Sequence, residues 1–340
     1  MSRLLKALFD MSGTASRRKA LAALALLIGA IFLGITVAEL APPGVSRFLL
    51  PVVGLVLIYW LATMVRRLHD AGRSGLWVLT TFVPFLGAIA ALVIVLLPRR
   101  AAYDPGPNIA RSIGTGAMAL LAVLFLLRVF WQPYWVPSES GKPTLLVGDF
   151  IVVRLTGPGD YPRGSVIALQ HPTNGSDYID RIIGLAGDRV QLRGGVPYIN
   201  DVPAVQEPLA PFTEVMGPQG PNAMIPRCSN SPVGIGQTCE KFRLRETLPD
   251  GTSYEILSIE EGGFSDDTDI FTVPEGYVFV MGDNRDNSND SRFAPAVGGL
   301  GFVPTSNIIG KVDRVIFSSA GRSMLYFWTW RSDRFFKAVE

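Results

Sequence analysis

The sequence predicts an N-terminal all-α membrane domain followed by an all-β, antiparallel domain, and three observations carry this. Apolar residues make up 48% of the 340 residues and charged ones only 18%, low against about 25% in soluble domains. The long uncharged runs all lie before about Phe130. After it the chain breaks into short apolar stretches separated by Gly, Pro, Asn and Asp, the punctuation of turns between strands. The length also suits two or more folding units. Basic and acidic residues nearly cancel, 31 against 29, for a formal charge of +2. That excludes a dedicated nucleic-acid binder, which needs a large cationic excess to neutralise phosphates.

Four runs read as membrane spans: Ala20–Ala38, Phe48–Val65, Leu76–Leu97 and Ile113–Phe130, the last apolar apart from Arg128. Each approaches the roughly 20 residues that cross a bilayer. The first is too long for a cleavable leader, and further spans follow it. Arg3, Lys6, Arg17, Arg18 and Lys19 put the N-terminus inside, loop 39–47 suits the outside, and Arg66, Arg67 and Arg73 bring the chain back. A fully spanning Leu76–Leu97 would then leave everything after the fourth run in the cytoplasm. Broken at Pro84 and Gly87 into a re-entrant hairpin, it returns the β half to the outer face. His69 beside Asp70 could suggest a metal pair, but one His without further ligands makes a poor site; these polar residues more simply tie helix ends together.

The β half opens with Trp131, Tyr134 and Trp135, placed as an interfacial aromatic belt would be. Strands follow at Asp149–Leu155, Ser165–Gln170, Tyr178–Ile183, Arg189–Leu192, Val196–Ile199, Tyr277–Met281 and Lys311–Phe317. Gly187-Asp188 and Arg193-Gly194-Gly195 are turns between them. Cys228 and Cys239 sit in a loop rich in Ser, Pro and Gly. They could be unpaired or half of a metal site, though no further ligand lies nearby; a disulfide fits an oxidising compartment. A second aromatic cluster, Tyr326-Phe327-Trp328-Thr329-Trp330, is either a packed tail or a patch that dips into lipid.

Two resemblances add to this reading. Ser12-Gly13 with Ser16-Arg17-Arg18, the string Arg67-Leu68-His69-Asp70-Ala71-Gly72-Arg73-Ser74-Gly75, and Pro105-Gly106-Pro107-Asn108 resemble a family of small bacterial inner-membrane proteins of unknown function. That likeness implies no activity. In the second half Pro137-Ser138-Glu139-Ser140-Gly141-Lys142-Pro143-Thr144-Leu145, followed by Leu146-Val147-Gly148-Asp149, is similar to the nucleophile box of bacterial type I signal peptidases. Further boxes come in that family's order: Arg163-Gly164-Ser165-Val166-Ile167, then Tyr178-Ile179-Asp180-Arg181, then Gly282-Asp283-Asn284-Arg285-Asp286-Asn287-Ser288-Asn289-Asp290-Ser291-Arg292, then Gly301-Phe302-Val303-Pro304.

The resemblance implies a membrane-bound serine endopeptidase that removes signal peptides after a small-x-small motif. It implies Ser140 as nucleophile, with the Ser138 hydroxyl and the Ser140 backbone N–H as oxyanion donors. Ser288 would orient the general base, and Asp283, Asp290 and Arg292 would brace the site. Partners would be preproteins and the bilayer, and the location a bacterial inner membrane, multi-pass, with the β domain on the periplasmic face. The implied domains are 1–110 (multi-span), 111–133 (anchor) and 134–340 (peptidase-like).

One departure bears on the chemistry. The family's general base is a lysine immediately before the arginine, and here that position is Asp180. A serine hydroxyl needs a base tuned near the working pH, which an ordinary aspartate near pKa 4 is not. Three substitutes are conceivable: Asp180 itself with a burial-raised pKa, Lys142 on Ser140's face of an extended segment, or His171. A hairpin centred on Asn174-Gly175 would pair 171 with 178 and 169 with 180, making His171 and Asp180 diagonal neighbours. The alternative function is a disabled relative that binds signal-peptide-like segments or an assembly partner. No cofactor or metal is implied.

Overall fold

The computed structural model describes residues 8–11, 13–40, 46–84, 86–100, 108–155, 161–220, 222–321 and 323–339. Arg3, Lys6, Ser12 and Pro105-Gly106-Pro107 lie outside the described residues. The chain forms two compact units, Met1–Phe130 and Trp131–Glu340.

The first unit is helical: α1 (Arg17–Leu40), α2 (Ser46–Asp70), a 3₁₀ helix (Gly75–Phe82), α3 (Gly87–Leu96) and α4 (Asn108–Leu127). Small residues at the helix contacts, among them Ala20, Ala23 and Ala62, are buried beside Ile58, Met64 and Val95, as close backbone approach between apolar helices requires. Among the described residues two helices are long and apolar enough to cross a membrane, over Arg17–Val37 and Phe48–Asp70. The Leu76–Leu97 run does not form one such helix, and the fourth run lies in the 20-residue α4. Leu76–Leu97 is interrupted after Phe82 and resumes only at Gly87. Pro84 removes a backbone donor there, and a Cβ on Gly87 would lie 2.1 Å from the Thr81 carbonyl oxygen. The resulting 3₁₀ helix and α3 pack against each other. The fourth run keeps helix to Leu127.

The second unit is mainly β, with short 3₁₀ turns, and pairs its strands antiparallel. A seven-stranded sheet runs β1 (Trp131–Trp135), β2 (Asp149–Arg154), β15 (Ile308–Ser318), β3 (Val166–Gln170), β4 (Asp177–Gly184), β13 (Tyr277–Met281) and β14 (Val303–Pro304). A second sheet sets β10 (Thr238–Thr247) between β11 (Ser253–Ser258) and β8 (Val205–Pro208), with β9 (Phe212–Val215) also on β10. A third joins β12 (Phe271–Thr272), β5 (Arg189–Arg193), β6 (Val196–Ile199) and β7 (Val202–Pro203). Apolar clusters lie around Ile151, Val153 and Val312, around Ile167, Ile182 and Val280, and around Ile183, Val190 and Phe279. The aromatic segment Trp131–Trp135 is an edge strand, with Tyr134 opposite Ile151. In the C-terminal cluster Trp330 packs on Phe317, whereas Phe327 and Trp328 are each 68% exposed.

The β3–β4 hairpin exists, but its register differs from the expected one by two residues. Ile167 faces Asp180 and Leu169 faces Tyr178. The connection bends at His171, where the Gly175 N–H bonds the His171 carbonyl and the His171 N–H bonds the Ser176 carbonyl. This longer loop, rather than a two-residue turn at Asn174-Gly175, sets the pairing.

Candidate active site

Ser138 and Ser140 lie in the loop between β1 and β2, and their Oγ atoms are 3.2 Å apart. Turns, not extended backbone, carry this segment. Two clamps hold it. The Asn284 N–H donates to the Ser140 carbonyl at 2.8 Å, and Asn284 Nδ2 donates to the Glu139 carbonyl at 3.2 Å. Glu139, between the two serines, is buried. Its carboxylate receives Lys142 Nζ at 2.5 Å and Asn287 Nδ2 at 2.9 Å. With residue 139 held inward, 138 and 140 are left on the accessible side, Ser138 exposed and Ser140 half-buried.

The loop after β13 reaches the same place. A Cβ on Gly282 would lie 2.4 Å from Ser288 Oγ and 2.9 Å from the Ser140 carbonyl oxygen. Only glycine lets the Ser288 side chain and the nucleophile segment close on that point. Ser288 is therefore near Ser140, although its hydroxyl makes no side-chain hydrogen bond among the described residues. Asp290 accepts from the Gly282 N–H at 3.1 Å and pairs with Arg292 at 2.8 Å. Asp283 takes both Arg181 Nε and Nη2 at 2.8 Å, and Thr144 Oγ1 at 2.5 Å. Arg181 also lies 4.1 Å above the Tyr254 ring. Behind it Tyr254 and Arg285 share the buried carboxylate of Glu246. Arg285 and hydrogen bonds outweigh the effect of burial and hold Glu246 below its ordinary pKa.

Asp180 is buried, its Oδ2 has no hydrogen-bond partner among the described residues, and it lines a cavity of about 10 Å³ with Gly141, Thr144, Val166 and Asp283. That space is about the size of one water. Burial, then the nearby carboxylates of Asp290 and Asp283, push the Asp180 pKa well above the ordinary range, against Arg292. An unpaired carboxylate in such a place takes up a proton rather than stay charged. The site thus joins Ser138, Ser140, Ser288, Asp283, Asp290 and Arg292 in one neighbourhood, with Asp180 beside it.

Two proposed substitute bases are displaced from this arrangement. Lys142 does not share a face with Ser140, because the segment turns. Its buried Nζ is spent on Glu139, Glu214 at 2.6 Å and Gln219 at 2.9 Å. Lys241, also buried, completes the group through Glu214 at 2.6 Å. The two lysines hold Glu214 below its ordinary pKa although burial pushes it up. His171 is buried rather than solvated, and packs on Tyr178 with Nδ1 facing the Thr173 N–H and hydroxyl. In the observed register it lies four residues beyond Ile167, the partner of Asp180, about 13 Å along the strand. No Ser140/His171/Asp180 triad forms.

Sequence reasoning did not assign roles to Arg181, Thr144, Asn284 or Glu139. Arg181 and Asn284 carried a signal, since both stand inside the boxes beside assigned residues. The lysine partner Lys241 of Glu139, 102 residues away, carried none. Cys228 and Cys239 form a disulfide, in a loop ending at β10.

The chain is similar to known proteins over both of its halves. A family model described as signal peptidase, peptidase S26, matches residues 109–317. A second, described as a protein of unknown function (DUF805), matches residues 8–105. Among curated relatives, signal peptidase I of Aquifex aeolicus is 35% identical over 225 residues, spanning 59% of this chain and 81% of that protein. Signal peptidase I of Rickettsia prowazekii is 29% identical over 242 residues, spanning 62% of this chain and 81% of that protein. A solved signal peptidase I from Enterococcus faecalis is 23% identical, covering 46% of this chain and 98% of that chain with a TM-score of 0.23. The match over residues 109–317 spans more than half of the sequence, and the chain belongs to the signal peptidase S26 family.

Proposed function

We infer that the chain is a membrane-held serine endopeptidase that removes signal peptides from exported preproteins, with Ser140 as nucleophile and Ser138 donating to the oxyanion. In this reading residues 1–110 are a multi-span membrane domain, 111–133 an anchor and 134–340 the peptidase domain. The peptidase domain faces the periplasm from a bacterial inner membrane. The observation that carries it is the pair of hydroxyls 3.2 Å apart on a clamped loop, beside a buried carboxyl at the base position. Asp180, its pKa raised by burial and by Asp290 and Asp283, is the general base. The raised pKa makes it a stronger base than an ordinary aspartate, and cleavage depends on the fraction ionised and rises with pH. Ser288 and the Asp283–Arg181 and Asp290–Arg292 pairs hold the site in shape.

A second reading is a disabled relative that binds signal-peptide-like segments or an assembly partner. The specific observation in its favour is that Ser140 Oγ bonds Ser138, while Asp180 makes no side-chain hydrogen bond among the described residues. Expression of the chain with a preprotein bearing Ala-x-Ala separates the two. Mature product from the wild type, lost in Ser140→Ala and Asp180→Asn, is the expected result. No wild-type product, with product appearing in Asp180→Lys, would overturn the enzyme reading and establish the second.

A further inference from the structure

The helix ends of the first unit gather charge that peptide cleavage leaves unused. α1 begins with Arg17, Arg18 and Lys19 and has no acidic residue in its first turn. A helix N-terminus bears about half a positive charge and favours Asp or Glu, so three cations there oppose both the dipole and one another. Together with Arg67, Asp70 and Arg99 they line a cavity of about 650 Å³. Five cations therefore face a single carboxylate, and that carboxylate is already shared. Arg67 Nη1 bonds Asp70 Oδ2 at 2.7 Å, and Arg99 Nε bonds Oδ1 at 3.1 Å.

Backbone oxygens absorb some of the remaining donors. Arg67, fully buried, reaches the Val95 carbonyl at 3.1 Å and that of Leu97. Arg17 reaches the Leu96 and Leu97 carbonyls at 2.9 and 3.1 Å. Arg18 and Lys19 are exposed, and their side chains have no partner among the described residues. The cavity is formed by the start of α1, the end of α2 and the residues just after α3. Those are the points where apolar helices end, and hence where a bilayer places its headgroups. The neighbouring residues of the same segments, Leu68 and Leu97, line an apolar groove of about 540 Å³ with Trp77 and Ile94.

We propose that this cavity binds the phosphodiester headgroup of an anionic phospholipid. The headgroup supplies the missing negative charge at the dipole of α1, with Arg18 and Lys19 as its adjustable donors. The test uses the full chain in nanodiscs of phosphatidylcholine, alone or with phosphatidylglycerol. Retained lipid is counted by native mass spectrometry, and thermal unfolding is followed by tryptophan fluorescence. The expected result is preferential retention of one phosphatidylglycerol and a raised unfolding midpoint. Retention should weaken about fivefold for each of Arg18→Gln and Lys19→Gln, and not at all for Arg100→Gln, outside the cavity. Arg18 and Lys19 are exposed, so both variants should keep the wild-type midpoint in pure phosphatidylcholine. Equal retention of both lipids would overturn the proposal, as would equal weakening by Arg100→Gln, the mark of diffuse surface attraction. The same stabilisation by millimolar inorganic phosphate in phosphatidylcholine discs would assign the cavity to free phosphate and overturn the lipid.

Discussion

Replacing Asp180 with asparagine removes a titrating proton while keeping the side chain's size, and the structure fixes the sign of the resulting change in stability. In the unfolded chain an aspartate titrates near pH 4. In the folded chain burial, Asp290 and Asp283 raise that value well above the ordinary range. Between the two values the native protein holds a proton that the unfolded chain has released. Native stability therefore declines as pH rises across that window, by about 1.4 kcal/mol per pH unit, and levels off above the folded pKa. Asp180→Asn lacks this decline. The difference in unfolding free energy, variant minus wild type, should be smallest near pH 4 and grow in the variant's favour as pH rises. Denaturant unfolding of both full-length proteins in detergent, followed by tryptophan fluorescence from pH 4 to 8, measures it directly. A difference that stays flat over this range, or that favours the wild type increasingly at higher pH, would refute the assignment of a raised pKa and with it the proposed base.

Two further substitutions probe the supports of the site. Gly282→Ala should cost about 1–3 kcal/mol and abolish cleavage, because the new methyl would meet Ser288 Oγ at 2.4 Å and the Ser140 carbonyl at 2.9 Å; thermal unfolding and a preprotein assay check both. Lys241→Met leaves buried Glu139 and half-buried Glu214 with Lys142 as the one lysine they share. It should destabilise by about 3–5 kcal/mol, and a loss under 1 kcal/mol in denaturant unfolding would mean the lysine is dispensable there.

Much of the peptidase half could be read from residue patterns because its central strands follow the rules that patterns encode. Val196–Ile199 and Tyr277–Met281 alternate or run apolar and are bounded by turn residues. β10 was not legible, for a physical reason. Its inward residues include Cys239, Lys241 and Glu246, all buried, so disulfide and ion pairing replace the apolar period that marks a strand. The position of His171 depended on loop length, and a shift of two residues carried it along the strand without changing its face. The serines and acidic residues could be grouped from their boxes, whereas the fate of Lys142 turned on Glu214, far away in sequence. In the membrane half Pro84 and Gly87 marked the interruption of Leu76–Leu97. Hydropathy alone could not foresee that Leu76–Leu97 would divide into two shorter helices.

The surroundings of residue 180 have a consequence for how the family's chemistry could have drifted. Asp283 and Asp290 pair with Arg181 and Arg292, yet burial and the two carboxylates still favour an uncharged Asp180. A lysine that has given up its proton and an aspartic acid that has kept one both meet that condition. Exchange between them leaves the neutral interior undisturbed, and opposite ends of the side-chain basicity scale become interchangeable as far as folding is concerned. A lineage could pass from one to the other without losing the scaffold, while the pH at which the serine becomes reactive is reset.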